Sequence, residues 1–300
     1  RADITVVALG IDATIEGEAH DRTSIGLPGK QRDFLNHILA SVDPKKVILV
    51  LVNGGPLAID DIPHHVPTIL DVMDDGQYAG DAFAHVVYGK TNPSAMLPYT
   101  LYPSIFTSQV NMSDMNMRAG PGRTYRFYRD TPTFPFGYGL SYSTFSLAWA
   151  DNGSLAPRNL TVKTSDALPK AASSHGASLA WTVTVAMNNG DPDGSIPLQS
   201  YVSRLDTTDG PLRSLFDLQK VAVTTNRSAT VHVDARAPHG LTHTPWCVFC
   251  TTRSDGSRAI VAGSYRLAIG GHGGPEETQP QRRLLINIDL VGPDVPFPSH

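Results

Sequence analysis

Ile4-Thr5-Val6-Val7-Ala8-Leu9 runs without a break into Gly10-Ile11-Asp12-Ala13-Thr14-Ile15-Glu16-Gly17-Glu18-Ala19-His20-Asp21-Arg22, and Leu27-Pro28-Gly29-Lys30-Gln31 follows shortly after. An apolar run of this length, rich in β-branched residues, predicts a strand buried on both faces. From Gln31 to Val42, Phe34, Leu35, Ile38 and Leu39 fall at helical spacing, and Pro28-Gly29 suits a helix start. The intervening loop therefore lies at the carboxyl end of a strand, where open α/β sheets hold their ligands. It carries Asp12, Glu16, Glu18, His20, Asp21 and Arg22. Carboxylates packed this closely repel one another unless a substrate, a cation or Arg22 offsets them. An ordinary acidic surface loop is the alternative reading.

Working outward, Val47 to Val52 reads as a second buried strand ending in Asn53-Gly54-Gly55-Pro56, and Val66 to Val72 as a weaker third. Gly76 to Val87 reads as another helix. The order β-α-β-β-α with such apolar strands predicts a parallel sheet. Three strands fall short of the usual sheet of about five to six. The first strand is also too apolar for an uncovered edge. The expectation is a partial α/β sandwich completed by another chain, through an obligate interface above roughly 2,000 Å². From Thr144 onward the pattern changes to short alternating strands, such as Leu179 to Val185, Gln199 to Arg204 and Ser264 to Gly270. Asn189-Gly190, Asp193-Gly194, Asp209-Gly210 and Asp255-Gly256 punctuate them, which predicts a β-sandwich. The polar stretch from Asn152 to Gly176 reads as an exposed loop. Domain bounds follow at 1–103, 104–143 (a connector) and 144–300.

The 300 residues are 41% hydrophobic and 17% charged, with net charge −4, an ordinary globular composition. No basic cluster suggests nucleic acid, and no apolar run is long enough for a membrane span. Arg1-Ala2-Asp3 leads straight into the first strand with no signal-peptide pattern. Sequons stand at Asn111, Asn152, Asn159 and Asn226, each weak alone; joined to the family resemblance of the motifs below, they favour a secreted or endomembrane (vacuolar) glycoprotein. Cys247 and Cys250, in Trp246-Cys247-Val248-Phe249-Cys250, have thioredoxin spacing but sit among predicted strands. A structural disulfide or two separate thiols fits better than redox or zinc chemistry. His64-His65 reads as a pair of solvated histidines in a loop rather than metal ligands.

The string Thr14-Ile15-Glu16-Gly17-Glu18-Ala19-His20-Asp21-Arg22, with Leu27-Pro28-Gly29-Lys30-Gln31, resembles family 3 glycoside hydrolases, in particular their β-xylosidase and α-L-arabinofuranosidase branch. Tyr88-Gly89-Lys90 to Tyr102-Pro103, Pro121-Gly122-Arg123-Thr124-Tyr125-Arg126-Phe127-Tyr128 and Phe134-Pro135-Phe136-Gly137-Tyr138-Gly139-Leu140-Ser141-Tyr142 extend the resemblance. Asn188 to Ser195 and Pro211 to Leu215 resemble the fibronectin type III-like domain that ends these enzymes. The resemblance implies a retaining exo-glycosidase without a cofactor, acting on a carbohydrate. Its general acid/base is Glu18, or Glu16 two positions earlier, with Asp21 and Arg22 binding substrate. The nucleophilic Asp of the family lies on an N-terminal barrel absent here, so a barrel-bearing chain is the implied partner. Arg123 and Tyr125 are expected to serve packing. Asp74-Asp75-Gly76-Gln77 departs from the family's Tyr-Pro-Gly-Gln turn and leaves the preferred sugar open. A non-catalytic extracellular module retaining the fold is the other reading.

Overall fold

The computed structural model describes residues 2–74, 76–151, 153–168, 179–224, 227–236, 247–271 and 282–297. The chain forms two compact units. Residues 1–91, 99–124 and 128–135 make the first, and residues 92–98, 125–127 and 136–300 the second.

In the first unit β1 (Thr5–Gly10), α1 (Gln31–Ser41), β2 (Val47–Val52), α2 (Ile62–His65), β3 (Thr68–Asp71) and α3 (Ala79–Val87) follow in order. The strands form the predicted parallel sheet, ordered β1-β2-β3, with Val7 opposite Leu49 and Val50 opposite Leu70. The central β2 buries Val47, Leu49, Val50 and Leu51, as an unbroken apolar strand must. Asp43 opens a single 3₁₀ turn, Pro44–Lys46, by accepting from the Lys45 N–H at 3.0 Å, and this turn feeds the chain into β2. The first unit continues through α4 (Phe106–Gln109). Behind it Tyr102 stacks on Phe106 with centroids 3.8 Å apart, and Tyr128 meets both edge-on.

Four expectations for this unit are corrected. β1 is buried on one face only: Val7 and Leu9 are inside, whereas Val6 and Ala8, and Ile4 before them, are exposed. It is an edge strand, with β2 as its one neighbour among the described residues. On α1 only Leu35 is fully buried, and Phe34 of the predicted apolar face points out. The segment from Gly76 begins as a 3₁₀ turn, Gly76–Tyr78, and becomes α-helical only at Ala79. His64 and His65 lie not in a loop but in α2, which Pro63 at its start favours. His65 Nε2 stands 3.6 Å from Asp61, and no group of metal-ligating side chains occurs among the described residues.

The second unit is a β-sandwich. Its strands are β4 (Phe145–Trp149), β5 (Arg158–Lys163), β6 (Ala180–Met187), β7 (Gly194–Arg204), β8 (Ser214–Val223), β9 (Ser228–Asp234), β10 (Cys250–Thr252), β11 (Arg258–Ile260), β12 (Gly263–Gly270), β13 (Arg283–Val291) and β14 (Val295–Pro296). A five-stranded sheet β5-β13-β12-β7-β8 accompanies two three-stranded sheets, β4-β6-β9 and β10-β11-β14. Alternation sorts β4, β6, β9 and β13. Trp181, Val183, Val185 and Met187 of β6 turn into one core with Phe216, Leu267 and Ile286. Arg158–Lys163 was expected in an exposed loop but is a strand, parallel to β13, with Val162 buried. Cys247 and Cys250 are disulfide-bonded, with Cα atoms 5.3 Å apart. Tyr125 stacks on Phe136 with centroids 4.3 Å apart, in keeping with a packing role. No helix among the described residues is long and apolar enough to cross a membrane.

Candidate active site

All three strands of the first unit end on the same edge of their sheet, and the acidic loop leaves from the end of β1. Gly10 closes that strand. Its N–H donates to Gln31 Oε1 (2.9 Å), and its carbonyl accepts from Gln31 Nε2 (2.7 Å), so the Gln31 amide satisfies the backbone of Gly10 as a neighbouring strand would. A Cβ on Gly10 would stand 1.9 Å from the Val52 carbonyl oxygen, which explains the glycine.

Each carboxylate of the loop has a different situation. Asp12 accepts from the Thr14 hydroxyl (2.6 Å) and the Thr14 N–H (2.9 Å), which holds its carboxyl below the ordinary range and starts a tight turn. Glu16 is ion-paired with the Arg22 guanidinium, which also donates to the Pro56 carbonyl at 3.1 Å. The Arg22 side chain is only 8% exposed and that of Glu16 37%. Glu18 and Asp21 are exposed, and their side chains make no hydrogen bond or ion pair with any described residue. Gly17 and His20 exchange two backbone hydrogen bonds of 3.0 Å, leaving Glu18 and Ala19 as the two-residue tip of a hairpin turn. Ala19 has φ +60°, a left-handed conformation that costs a non-glycine residue about 1–2 kcal/mol. The loop thus drives Glu16 inward and lifts Glu18 outward.

The floor beneath the pair is the end of β2. A Cβ on Gly55 would lie 2.9 Å from Glu16 Oε1 and 3.4 Å from Arg22 Nη2, and one on Gly54 would lie 2.6 Å from Asp74 Oδ2. The two glycines make a shelf flanked by Asp74 and the Glu16–Arg22 pair. Asn53, fully buried, supports the shelf by donating Nδ2 to the Gly55 carbonyl at 2.9 Å and to the Tyr99 hydroxyl at 3.4 Å. Tyr99 donates in turn to Asp71 at the end of β3. Burial, then the Asp71 carboxylate, pushes the Tyr99 phenol above its ordinary range. A shallow cleft of about 520 Å³ lies at this edge, lined by Gly10, Asp12, Thr14, Ile15, Gln31 and Val52 among others.

The structure therefore brings together Glu16 and Arg22 and leaves Glu18 and Asp21 apart from both. Gln31, Asn53, Tyr99 and Asp71 were not singled out from the sequence. The available signal was Gly54-Gly55 directly after an apolar strand, a mark of close approach by another group. Of the sequons, Asn111 and Asn159 are exposed, and Asn159 Oδ1 accepts from Asn287 at 2.9 Å; Asn152 and Asn226 lie outside the described residues.

Residues 1–142 match the glycosyl hydrolase family 3 C-terminal domain. Beta-D-xylosidase 1 of Arabidopsis thaliana is 33% identical over 296 residues, covering 90% of this chain and 36% of that protein. Beta-xylosidase/alpha-L-arabinofuranosidase 1 of Medicago sativa subsp. varia is 30% identical over 288 residues, 90% of this chain and 35% of that one. A GH3 exo-beta-xylosidase solved with a xylobiose aziridine activity-based probe matches with TM-score 0.79 and 25% identity, over 99% of this chain and 37% of its own. A beta-glucosidase from Kluyveromyces marxianus in complex with glucose shares the fold with TM-score 0.75 at 22% identity, over 98% and 32%. The chain spans about a third of the length of these proteins.

Proposed function

We propose that this chain, whose residues 1–142 are a glycosyl hydrolase family 3 C-terminal domain, supplies the general acid/base of a retaining, β-xylosidase-like exo-glycosidase. A separate barrel-bearing portion supplies the nucleophilic Asp. The observation that carries this reading is the division of labour within one loop: Arg22 occupies Glu16, while Glu18 stands unpartnered at the tip of a fixed turn. A carboxyl that must give a proton to a leaving oxygen, and later take one from water, has to be free to meet both. Glu18 meets that requirement. Glu16 and Arg22 then brace the loop, and Asp21 is left facing outward for a substrate hydroxyl.

In the retaining sequence the nucleophilic carboxylate attacks the anomeric carbon as Glu18 protonates the departing oxygen. The Glu18 carboxylate then deprotonates the water that releases the sugar. The two carboxyls stand about 5–5.5 Å apart in such sites. The backbone edge of β1, unpaired among the described residues, favours further strands of the sandwich, and the exposed Ile4, Val6 and Ala8 on one face of that strand favour a covering layer, both borne by that other portion. The sequons favour a secreted or vacuolar setting.

The test is Glu18→Gln in the assembled enzyme. Turnover of substrates with poor leaving groups should fall roughly a hundred- to ten-thousand-fold, while glycosylation by activated aryl glycosides falls far less. A silent Glu18→Gln beside a Glu16→Gln that shows this pattern would shift the assignment by two residues. If neither shows it, the chain is a non-catalytic module.

A further inference from the structure

After α4, residues 111–123 of the first unit form a surface loop whose backbone is tied down while its methionine side chains stand at the surface. Met112 and Met115 are 73% and 86% exposed, and Met117 and Ile105 are exposed as well. Beneath them the Ser113 N–H donates to Asn111 Oδ1 (3.0 Å), the Asn116 N–H to Asp114 Oδ1 (2.8 Å) and the Arg118 N–H to Asn116 Oδ1 (3.0 Å). Arg123 clamps the loop from within, its guanidinium donating to the carbonyls of Asn111 (2.6 Å) and Asp114 and its N–H to the Met117 carbonyl (2.9 Å). The segment leading into the loop is rooted on the site's edge of the sheet. Tyr99 bonds Asp71 at the end of β3, and the Ser104 N–H donates to Asp60, in the stretch after β2, at 2.8 Å.

Fixing a loop costs about 1–2 kcal/mol per residue in backbone entropy. Holding Met112 and Met115 in water recovers none of it. Flexible thioether side chains on a rigid backbone suit contact with another apolar surface. The relative of known length leaves nearly two thirds of its chain beyond what this one covers. We propose that Met112, Met115 and Met117 dock against the polypeptide portion that carries the nucleophile, a second contact beside the open edge of β1. This rests on the functional reading above and locates one of its interfaces. A glycan on Asn111 would stand beside Met112, so that sequon is bare in the assembled protein.

Peroxide oxidation of the assembled protein, read by peptide mass spectrometry, tests the contact. Met112 and Met115 should oxidise at least about tenfold more slowly than in the same protein unfolded in denaturant, because oxidation follows exposure. The buried Met187 serves as the protected standard. Rates near the unfolded value overturn the proposal, as does a glycan found on Asn111. With the two portions co-expressed as separate chains, Met112→Glu together with Met115→Glu should weaken co-purification about tenfold or more. The matching pair of leucine substitutions should keep it. Glutamates without effect, or protection that appears only as two copies associate, also overturn it. Unprotected methionines in an enzyme that Glu18→Gln disables would sink the docking and leave the acid/base reading standing. Protected methionines in a protein indifferent to Glu18→Gln would do the reverse.

Discussion

Replacing Glu16 by Gln should destabilise the protein, whereas replacing Glu18 by Gln should not. The two residues are two positions apart and chemically identical, so the contrast isolates what the fold does to each. Glu16 is the ion-pair partner of Arg22, whose side chain is 8% exposed and whose Nη1 has no hydrogen-bond partner among the described residues. Without the Glu16 charge, a nearly buried guanidinium keeps the Pro56 carbonyl and at best the neutral amide oxygen of the new glutamine, with no anion to offset its own charge. Breaking a fully buried pair costs about 3–5 kcal/mol. Glu16 is 37% exposed, so water screens the pair and roughly 2 kcal/mol is the better figure. For 300 residues that is about 3 °C in Tm. Glu18→Gln, at an exposed and unpartnered side chain, should stay within about 0.5 kcal/mol of wild type. Urea midpoints of the assembled protein, with unchanged slope, give both numbers. A double-mutant cycle with Arg22→Ala should return a coupling of about 1–2 kcal/mol for Glu16 and nothing for Glu18. Equal losses for the two glutamates, or a larger one for Glu18, would refute the division of labour.

Other expected outcomes follow from the same packing. Gly10→Ala would push a methyl into the Val52 carbonyl oxygen and should cost about 3 kcal/mol, read as a fall in soluble yield and denaturation midpoint. Replacing Cys247 and Cys250 by Ser opens a loop of separation 3 and should lower stability by about 2 kcal/mol without touching turnover; a loss of turnover at unchanged Tm would contradict a purely structural bond. Arg204 beside Asp206 holds that carboxyl below its ordinary value through a hydrogen bond. Its contribution is complete above the unfolded carboxylate pKa and disappears as pH falls through the lower folded value. Asp206→Asn should therefore lose stability at pH 7 and show a flatter acid limb below about pH 4.

The elements legible in the sequence are those set by long-range patterning. β1, β2 and α1 announce themselves through unbroken β-branched runs or a 3.6-residue period. β5 did not, because Asn159, Thr161 and Lys163 alternate with Leu160 and Val162 over six residues in a polar stretch. β13 supplies the partner that makes a strand of it. β7 begins earlier than expected, at Gly194, which reads as a turn residue. Its glycine is needed because Asn92 Nδ2 and the Phe145 ring would lie 2.6 and 3.3 Å from a Cβ there.

The sequence marks the candidate loop but not the arrangement of its side chains, and the reason is physical. The resemblance to the family's motif marks Glu18, through its spacing to Asp21 and Arg22, yet nothing in that motif says which glutamate Arg22 takes. The choice is made by features outside the motif. The Gly54-Gly55 shelf leaves room for the Glu16 carboxylate and the Arg22 guanidinium, and Asn53 with Tyr99 holds the shelf in place. The left-handed backbone at Ala19 then turns the chain back, so that Glu18 lies at the tip and His20 returns to pair with Gly17. Ala19→Gly would remove the strain of φ +60° and make the turn easier to form, while letting its tip move. If Glu18 acts by being held at a fixed tip, that variant should melt no earlier than wild type and turn over poor leaving groups more slowly. A variant with unchanged turnover would show that the turn's rigidity is not what positions the acid.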